Sequence, residues 1–342
     1  RNHQPMEQVV EVIEALDLMS AVSPFTRCLE CNGKLGEISK EEAASTGDLM
    51  EPEILDRFDQ FWCCADCRKI YWRGSHFERM LQKVRLIEGE SLIRRLQNED
   101  AFPHPVSQFR LVETHISWVL LTGEFAYKIK KPVNFGFLDF STLALRRHFC
   151  EEEVRLNRRF APALYLAVVP ITQGLQGLQM AGAGDVIEYA VKMRRFREDQ
   201  LLSNMAERGE LDAQLVRALA LELARLHGQL PICHPDPAGS KAGTPAVLKA
   251  AMEDNFHQLR RYPLAPADLR QLETVEHWAR RGFSDLLPKI QQRVTEGRVI
   301  DGHGDVHLGN IGVVDGAVTL FDCIEFNALF RIMDTVGEIA LL

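Results

Sequence analysis

The segment Asp301-Gly-His303-Gly-Asp305-Val-His307-Leu-Gly-Asn310-Ile311 concentrates side chains that can handle protons, metal ions and phosphate. Phosphoryl transfer asks three things of a protein: a carboxylate that orients and deprotonates the attacking hydroxyl, oxygen ligands for magnesium, and a lysine on the phosphates. Asp305 and Asn310 lie five residues apart in one loop, the spacing of such a base and such a ligand. The second magnesium ligand should be an aspartate closing a nearby strand. Val318-Thr-Leu-Phe-Asp322 supplies it twelve residues beyond Asn310, after a turn at Gly316. His303 and His307 read as supports of the loop. A lone H-G-D says little, whereas H-G-D-x-H-x-x-N followed by a strand and an aspartate is specific.

Other parts of that chemistry are expected upstream. In Phe125-Ala-Tyr-Lys-Ile-Lys-Lys131, strand alternation puts Lys128 and Lys130 on one face. Either can reach the phosphates of ATP; register favours Lys128, with Lys130 as the alternative. A glutamate of the following helix should pair with that lysine. Among Glu151, Glu152 and Glu153, the last falls on the buried stripe of Leu145, Phe149, Leu156 and Phe160, and Glu152 is next best. The loop Thr114-His-Ile-Ser117 stands where a phosphate-covering loop belongs, which makes Ser117 a candidate contact although the loop lacks glycine.

A second chemistry sits near the start. Cys28-Leu-Glu-Cys31 and Cys64-Ala-Asp-Cys67 are two C-x-x-C pairs separated by 32 residues. Each pair can turn two thiolates toward one tetrahedral zinc ion. Gly33 is placed for a left-handed turn after the first pair. Of the neighbours Cys63 and Cys64, the spacing to Cys67 selects Cys64. Arg68, Lys69, Tyr71, Trp72, Arg73 and His76 form a basic and aromatic cluster able to touch RNA weakly.

These groups need elements to hold them. A helix is expected over residues 7–19, a turn-rich piece over 24–73 and an amphipathic helical connector over 76–97. Strands follow at 109–113, 118–121 and 125–131, then a helix at 142–160, and two strands around the glycine-rich stretch 174–184, the second at 186–193. Helices are expected at 211–229, 246–261 and 267–296, with short strands at 299–301 and 318–321. The 342 residues suit about two domains, and 46% hydrophobic with 26% charged residues is a globular composition. The net charge of −8 argues against nucleic acid or an anionic membrane as the main partner. No apolar run is long enough to span a bilayer and no signal peptide opens the chain, so a cytoplasmic protein is expected. Arg1 at the start and the uncapped apolar run 336–342 at the end read as cuts within a longer sequence.

Two resemblances give these readings a frame. Phe25-Thr-Arg-Cys-Leu-Glu-Cys-Asn-Gly-Lys-Leu35 and Phe61-Trp-Cys-Cys-Ala-Asp-Cys-Arg-Lys-Ile-Tyr-Trp-Arg-Gly-Ser-His76 resemble the zinc-ribbon tail of the Mut-seven C-terminal ribonuclease family. In that family a PIN-like nuclease domain precedes the ribbon, and its acidic metal ligands fall mostly upstream of Arg1. Glu113-Thr-His-Ile-Ser-Trp-Val-Leu-Leu-Thr-Gly123, Ala126-Tyr-Lys-Ile-Lys-Lys-Pro132 and Gly136-Phe-Leu-Asp-Phe-Ser-Thr142 resemble bacterial proteins that join an aminoglycoside-phosphotransferase-like domain to a P-loop ATP-binding domain. No G-x-x-x-x-G-K-[ST] occurs in this chain. The resemblances imply an α+β protein with a ribbon over 1–82, a linker over 83–104 and a two-lobed protein-kinase-like domain over 105–342. Its N-lobe (105–193) should hold a five-stranded antiparallel sheet and a helix, and its truncated C-lobe (194–342) should be mainly helical. The implied activity is ATP- and Mg2+-dependent transfer to a hydroxyl of a small-molecule acceptor, with Zn2+ in the ribbon. The alternative is an RNA-binding ribbon protein with a degenerate kinase-like domain.

Overall fold

A computed structural model describes residues 5–16, 18, 22–45, 52–234 and 242–342. The chain divides into two compact units. The first comprises residues 1–123, 127–147 and 169–190; the second comprises 124–126, 148–168 and 191–342.

The first unit opens with α1 (Pro5–Ala15). The helix expected over 7–19 thus starts earlier and ends earlier, and positions 17 and 19 lie outside the described residues. Next come β1 (Leu35–Ile38), α2 (Lys40–Ser45), α3 (Pro52–Arg57), β2 (Phe61–Cys64) and β3 (Ile70–Trp72). The three strands form one antiparallel sheet in the order β1-β2-β3. Its apolar core is small: Phe61, Ile70 and Ala43 are buried, with Ile38, Ile54, Leu55, Phe58 and Trp72 around them. So thin a core supplies little stability, which leaves room for a metal to supply the rest.

Helix α4 (Ser75–Arg95) follows. Gly89 lies in its middle, where glycine costs a helix about 1 kcal/mol relative to alanine. The reason is packing. A Cβ there would overlap the ring of Trp118, which is 2% exposed. Residues 83–104, expected as a linker, are helical as far as Arg95 and bury Ile93 and Leu96.

The larger sheet contains β4 (Arg110–Glu113), β5 (Ser117–Thr122), β6 (Phe125–Lys130), β7 (Tyr165–Gly174), β8 (Gly177–Met180) and β9 (Asp185–Arg194), in the order β4-β5-β6-β9-β7-β8. It has six strands, not the expected five. The additional strand is β8, inside the glycine-rich stretch. Gly174 pairs with Gly177, whose φ of 90° makes the tight turn, and Leu178 and Met180 alternate inward. Glycine density hid that alternation in the sequence. Helix α5 (Leu143–Asn157) connects β6 to β7. Arg146, 9% exposed, anchors its start by donating from Nε to both Glu188 oxygens, at 3.0 and 2.8 Å, and from Nη1 to the Phe140 carbonyl.

The second unit is mainly helical: α6 (Leu202–Glu207), α7 (Ala213–Gln229), α8 (Pro245–Leu259) and α9 (Pro266–Thr295). Asp212 and Thr244 cap α7 and α8 by accepting the N–H groups of Leu215 and Val247, and Pro245 opens α8. Then come β10 (Val299–Asp301), β11 (Ile311–Val314), β12 (Ala317–Leu320), α10 (Ala328–Arg331), β13 (Ile332–Asp334) and α11 (Thr335–Ile339). Where the sequence suggested two short strands, four form two antiparallel pairs, β10 with β13 and β11 with β12. The core gathers Leu156, Leu202, Leu223, Leu226, Ile300, Val306, Ile311 and Leu320. Val306 and Ile311 belong to the polar loop itself, so the loop is nailed into the core at its middle and at its end. Among the described residues no helix is long and apolar enough to cross a membrane.

Candidate functional sites

The ribbon brings Cys28, Cys31, Cys64 and Cys67 together, with all four Sγ atoms within 4.8 Å of one another. Sγ of Cys28 is 3.5 Å from that of Cys67, and Cys31 is 3.4 Å from Cys64. Four sulfurs around one tetrahedral zinc with bonds near 2.3 Å would stand about 3.8 Å apart, so the cluster fits that ion. The two knuckles repeat one backbone pattern. Asn32 N–H donates to the Cys28 carbonyl and Arg68 N–H to the Cys64 carbonyl; Cys28 N–H donates to Gly33 and Cys64 N–H to Lys69. The left-handed residues are Asn32 (φ 61°) and Arg68 (φ 62°), not Gly33 as expected. Gly33 serves clearance instead: a Cβ there would meet Cys64 Sγ at 2.8 Å and collide with the Asp66 carboxylate. Cys63 is buried and its Sγ faces the Cys64 and Arg68 carbonyls, outside the cluster.

Tyr71 completes the thiol site. Its hydroxyl lies 3.1 Å from Cys28 Sγ and accepts the Leu29 N–H at 3.0 Å. Burial pushes the Tyr71 hydroxyl up to about 12, so it stays protonated and can donate to sulfur. Burial disfavours the Cys28 thiolate, but Tyr71 and the Cys31 and Glu30 N–H groups outweigh it and bring that thiol down to about 6. Cys67 is pushed to about 12: the Lys69 N–H favours its thiolate, but the three neighbouring thiols and burial oppose it. Four thiols so close ionise together only around a cation.

The second site is built on the β11–β12 hairpin. Ile311 pairs with Leu320, and Phe321 N–H donates to the Asn310 carbonyl at 3.0 Å, so Asn310 and Asp322 emerge from the same end of the pair. Asn310 Nδ2 donates to the Asp305 carbonyl and to Asp305 Oδ2, both at 3.1 Å, which leaves its amide oxygen as the atom able to ligate a cation. Asp322 has a left-handed backbone (φ 63°), and its N–H donates to the Tyr165 hydroxyl at 3.0 Å. Cys323 N–H donates to Asn157 Oδ1 at 2.8 Å, and Ile324 N–H to the His303 carbonyl at 3.1 Å.

His303 is fully buried. Its Nε2 donates to the Phe321 carbonyl at 2.9 Å, and its Nδ1 accepts the Asp305 N–H at 3.3 Å, which fixes one neutral tautomer. Burial holds its pKa below the usual histidine range despite the carboxylates of Glu338, Asp322 and Asp305 nearby. His307 Nδ1 accepts the Gly309 N–H at 3.1 Å, and its Nε2 stands 3.5 Å from Asp305 Oδ2.

Residues the sequence did not single out frame this loop. Glu338, 1% exposed, accepts the N–H groups of His303 and Gly304 and bonds His227 Nε2 at 2.9 Å. Burial opposes its ionisation, but His227 and the two N–H groups prevail and lower its pKa. Asp301 is gripped by Arg159 and Arg331, which also bond the Gly302 and Ile324 carbonyls. Paired aspartate and arginine positions carry a weak signal in the sequence. A glutamate in the apolar run 336–342 reads as an exposed exception and carries none.

Lys128 and Lys130 lie in β6 within the first unit, 8% and 0% exposed, with Lys130 Nζ 4.7 Å from the centre of the Phe140 ring. Ser117 begins β5 and is fully buried. Its N–H donates to Thr114 Oγ1 at 3.0 Å, and its own Oγ has no hydrogen-bond partner among the described residues. Glu153 lies on α5 within the second unit, 0% exposed, and its carbonyl accepts from Asn157. Its neighbour Glu152 is spent on Arg155, at 2.8 and 2.6 Å.

Residues 1–84 match the model of the Mut7-C RNAse domain. A Mut7-C RNase-type domain is therefore present at this end of the chain. Similar curated proteins are the uncharacterized proteins Rv2004c and MT2060 of Mycobacterium tuberculosis and Mb2027c of Mycobacterium bovis. Each is 30% identical over 242 residues, covering 70% of this chain and 46% of the relative. The chain thus spans about half the length of the curated relatives it matches.

Proposed function

We propose that the second unit carries the catalytic loop of an ATP- and magnesium-dependent phosphotransferase acting on a hydroxyl, and that the ribbon binds zinc. The supporting observation is the Asp305–Asn310–Asp322 arrangement, in which one hairpin end holds a carboxylate, an amide oxygen and a second carboxylate. Asp305, half exposed, accepts the proton of the acceptor hydroxyl. The hydroxyl oxygen attacks the γ-phosphorus, the bond from that phosphorus to the β–γ bridging oxygen breaks, and ADP leaves. Asn310 Oδ1 and the Asp322 carboxylate would hold magnesium, which would supply positive charge against the phosphates. His303 and Glu338 keep the loop in shape. For Lys128, Lys130, Ser117 and Glu153 the reading rests on their sequence positions, with the lysines and Ser117 assigned to the ATP phosphates and Glu153 to orienting the lysine.

Calorimetry of ATP binding with and without magnesium tests the reading. The expected result is magnesium-dependent binding that Asp322→Ala weakens by about tenfold or more, since one good charged contact is worth about 1.4 kcal/mol or above. Equal affinities in the two proteins would sink the magnesium role of Asp322.

A second reading belongs to the ribbon. A groove of about 740 Å³ is lined by Phe25, Trp62, Tyr71, Trp72 and Phe77 together with Arg27, Lys69 and Lys83. Phe25 and Phe77 stand 4.3 Å apart, and Trp62 stacks on Phe77 at 5.9 Å. Aromatic faces beside cations suit stacked bases of single-stranded RNA. The Lys69–Glu30 ion pair and the net charge of −8 keep such contact weak. An oligouridylate mobility shift that zinc chelation removes is the expected outcome; binding unaffected by chelation would exclude the ribbon as the contact.

A further inference from the structure

The second unit contains an apolar cavity of about 850 Å³ between α8, α9 and residues 324–341. Val247 and Ala251 of α8, Ile290 of α9, and Ile324, Phe330 and Met333 of the facing segment form its walls. Gly304 is among the lining residues, and it directly precedes Asp305. The approach there is close: Gly304 has φ 84°, and a Cβ would meet the Phe330 carbonyl at 2.8 Å. The cavity lining thus includes the residue next to the proposed base, about 3.8 Å from it along the chain.

The lining chemistry limits what can occupy it. Asp334 is the carboxylate among the lining residues, and Arg293 holds it with hydrogen bonds of 2.8 and 2.7 Å while it also caps the Val336 N–H. Lys289 adds positive charge to the wall. An ammonium group brought in here would give up water and find no unspent carboxylate among the lining residues, which disfavours its entry. An alkyl or isoprenoid body would instead cover Leu248, Leu286 and Phe330, which stand 52%, 54% and 42% exposed at the rim. The volume lies within the range usual for small-molecule sites.

We propose that this cavity is the acceptor pocket and that it takes a neutral or anionic apolar alcohol, not a polycationic amino sugar. The proposal rests on the phosphotransferase reading for its chemistry, but not for ligand binding. Its test uses 1-decanol, 10-hydroxydecanoate and kanamycin as probes, in calorimetry without nucleotide and in ADP release with magnesium-ATP. Both alcohols are expected to bind and to stimulate ADP release, and kanamycin to do neither. Ala251→Trp, which fills the cavity, should weaken alcohol binding about tenfold or more while leaving magnesium-ATP affinity unchanged. Lys289→Glu, a surface change that spares folding, should weaken 10-hydroxydecanoate more than 1-decanol. Kanamycin stimulation without alcohol stimulation, or alcohol binding indifferent to both variants, would overturn the proposal. So would self-association lost in Ala251→Trp, which assigns the cavity to a second copy. Alcohol binding sensitive to Ala251→Trp in a protein that binds no ATP would keep the ligand class and discard the phosphotransferase reading.

Discussion

The ribbon and the 301–325 loop both gather reactive side chains, but they are held in opposite ways. Around the four thiols the apolar support is a handful of residues, and two of the cysteines, Cys31 and Cys67, are exposed. Around Asp305 the support is a dozen buried core residues plus a polar frame of Glu338, His227, Arg159 and Arg331. One site is expected to borrow its rigidity from a metal ion that its four thiols could hold, and the other brings its own. Metal removal and point substitution should therefore separate them.

The largest contrast should come from chelation. Stripping zinc, or Cys64→Ser, should unfold the ribbon, because structural zinc sites contribute on the order of 10 kcal/mol. Hydrogen exchange should show lost protection in β1–β3 and retained protection in α7 and β10–β12. Equal loss in both regions would end the comparison. Next in size is Asp305→Asn, expected to cut turnover about 10²–10⁴-fold with magnesium-ATP affinity kept, as measured by steady-state kinetics and calorimetry.

Smaller effects test the frame. Glu338→Gln should destabilise the second unit by about 2–3 kcal/mol in denaturant titrations, through weakened hydrogen bonds to a buried charge. The pH dependence has a definite sign. The folded state lowers the Glu338 pKa from 4.5, so its stabilisation is complete above that value and fades as pH falls through the lower folded value. The variant should lack that acid-side decline. Smallest is Tyr71→Phe, which removes a hydrogen bond to Cys28 Sγ and should weaken zinc in competition assays by about tenfold.

The two sites also differ in how far the sequence exposes them. The clustering of the four thiols is legible because spacing within each C-x-x-C pair is nearly the whole of knuckle geometry, and the nearness of Asp305, Asn310 and Asp322 is legible because loop and hairpin are local. Glu338 is not, since it meets Gly304 from 34 residues away and nothing near it in the chain announces the contact. Tyr71 looks like any strand aromatic until the fold places its hydroxyl against Cys28. Strand β8 escaped because glycines that permit a tight hairpin also erase the alternation by which strands are recognised. The missed features all depend on partners distant in sequence or on backbone conformation.

The contact between Gly89 and Trp118 makes its own demand on evolution. Helix and strand can approach this closely only while position 89 has no side chain, so the two residues form a lock-and-void pair. Descendants of this sequence that gain bulk at 89 should have lost it at 118, and a double exchange such as Gly89→Ala with Trp118→Phe should survive where Gly89→Ala alone does not. A single missing methyl in α4 thereby ties the history of the ribbon's outgoing helix to that of the sheet it leans on.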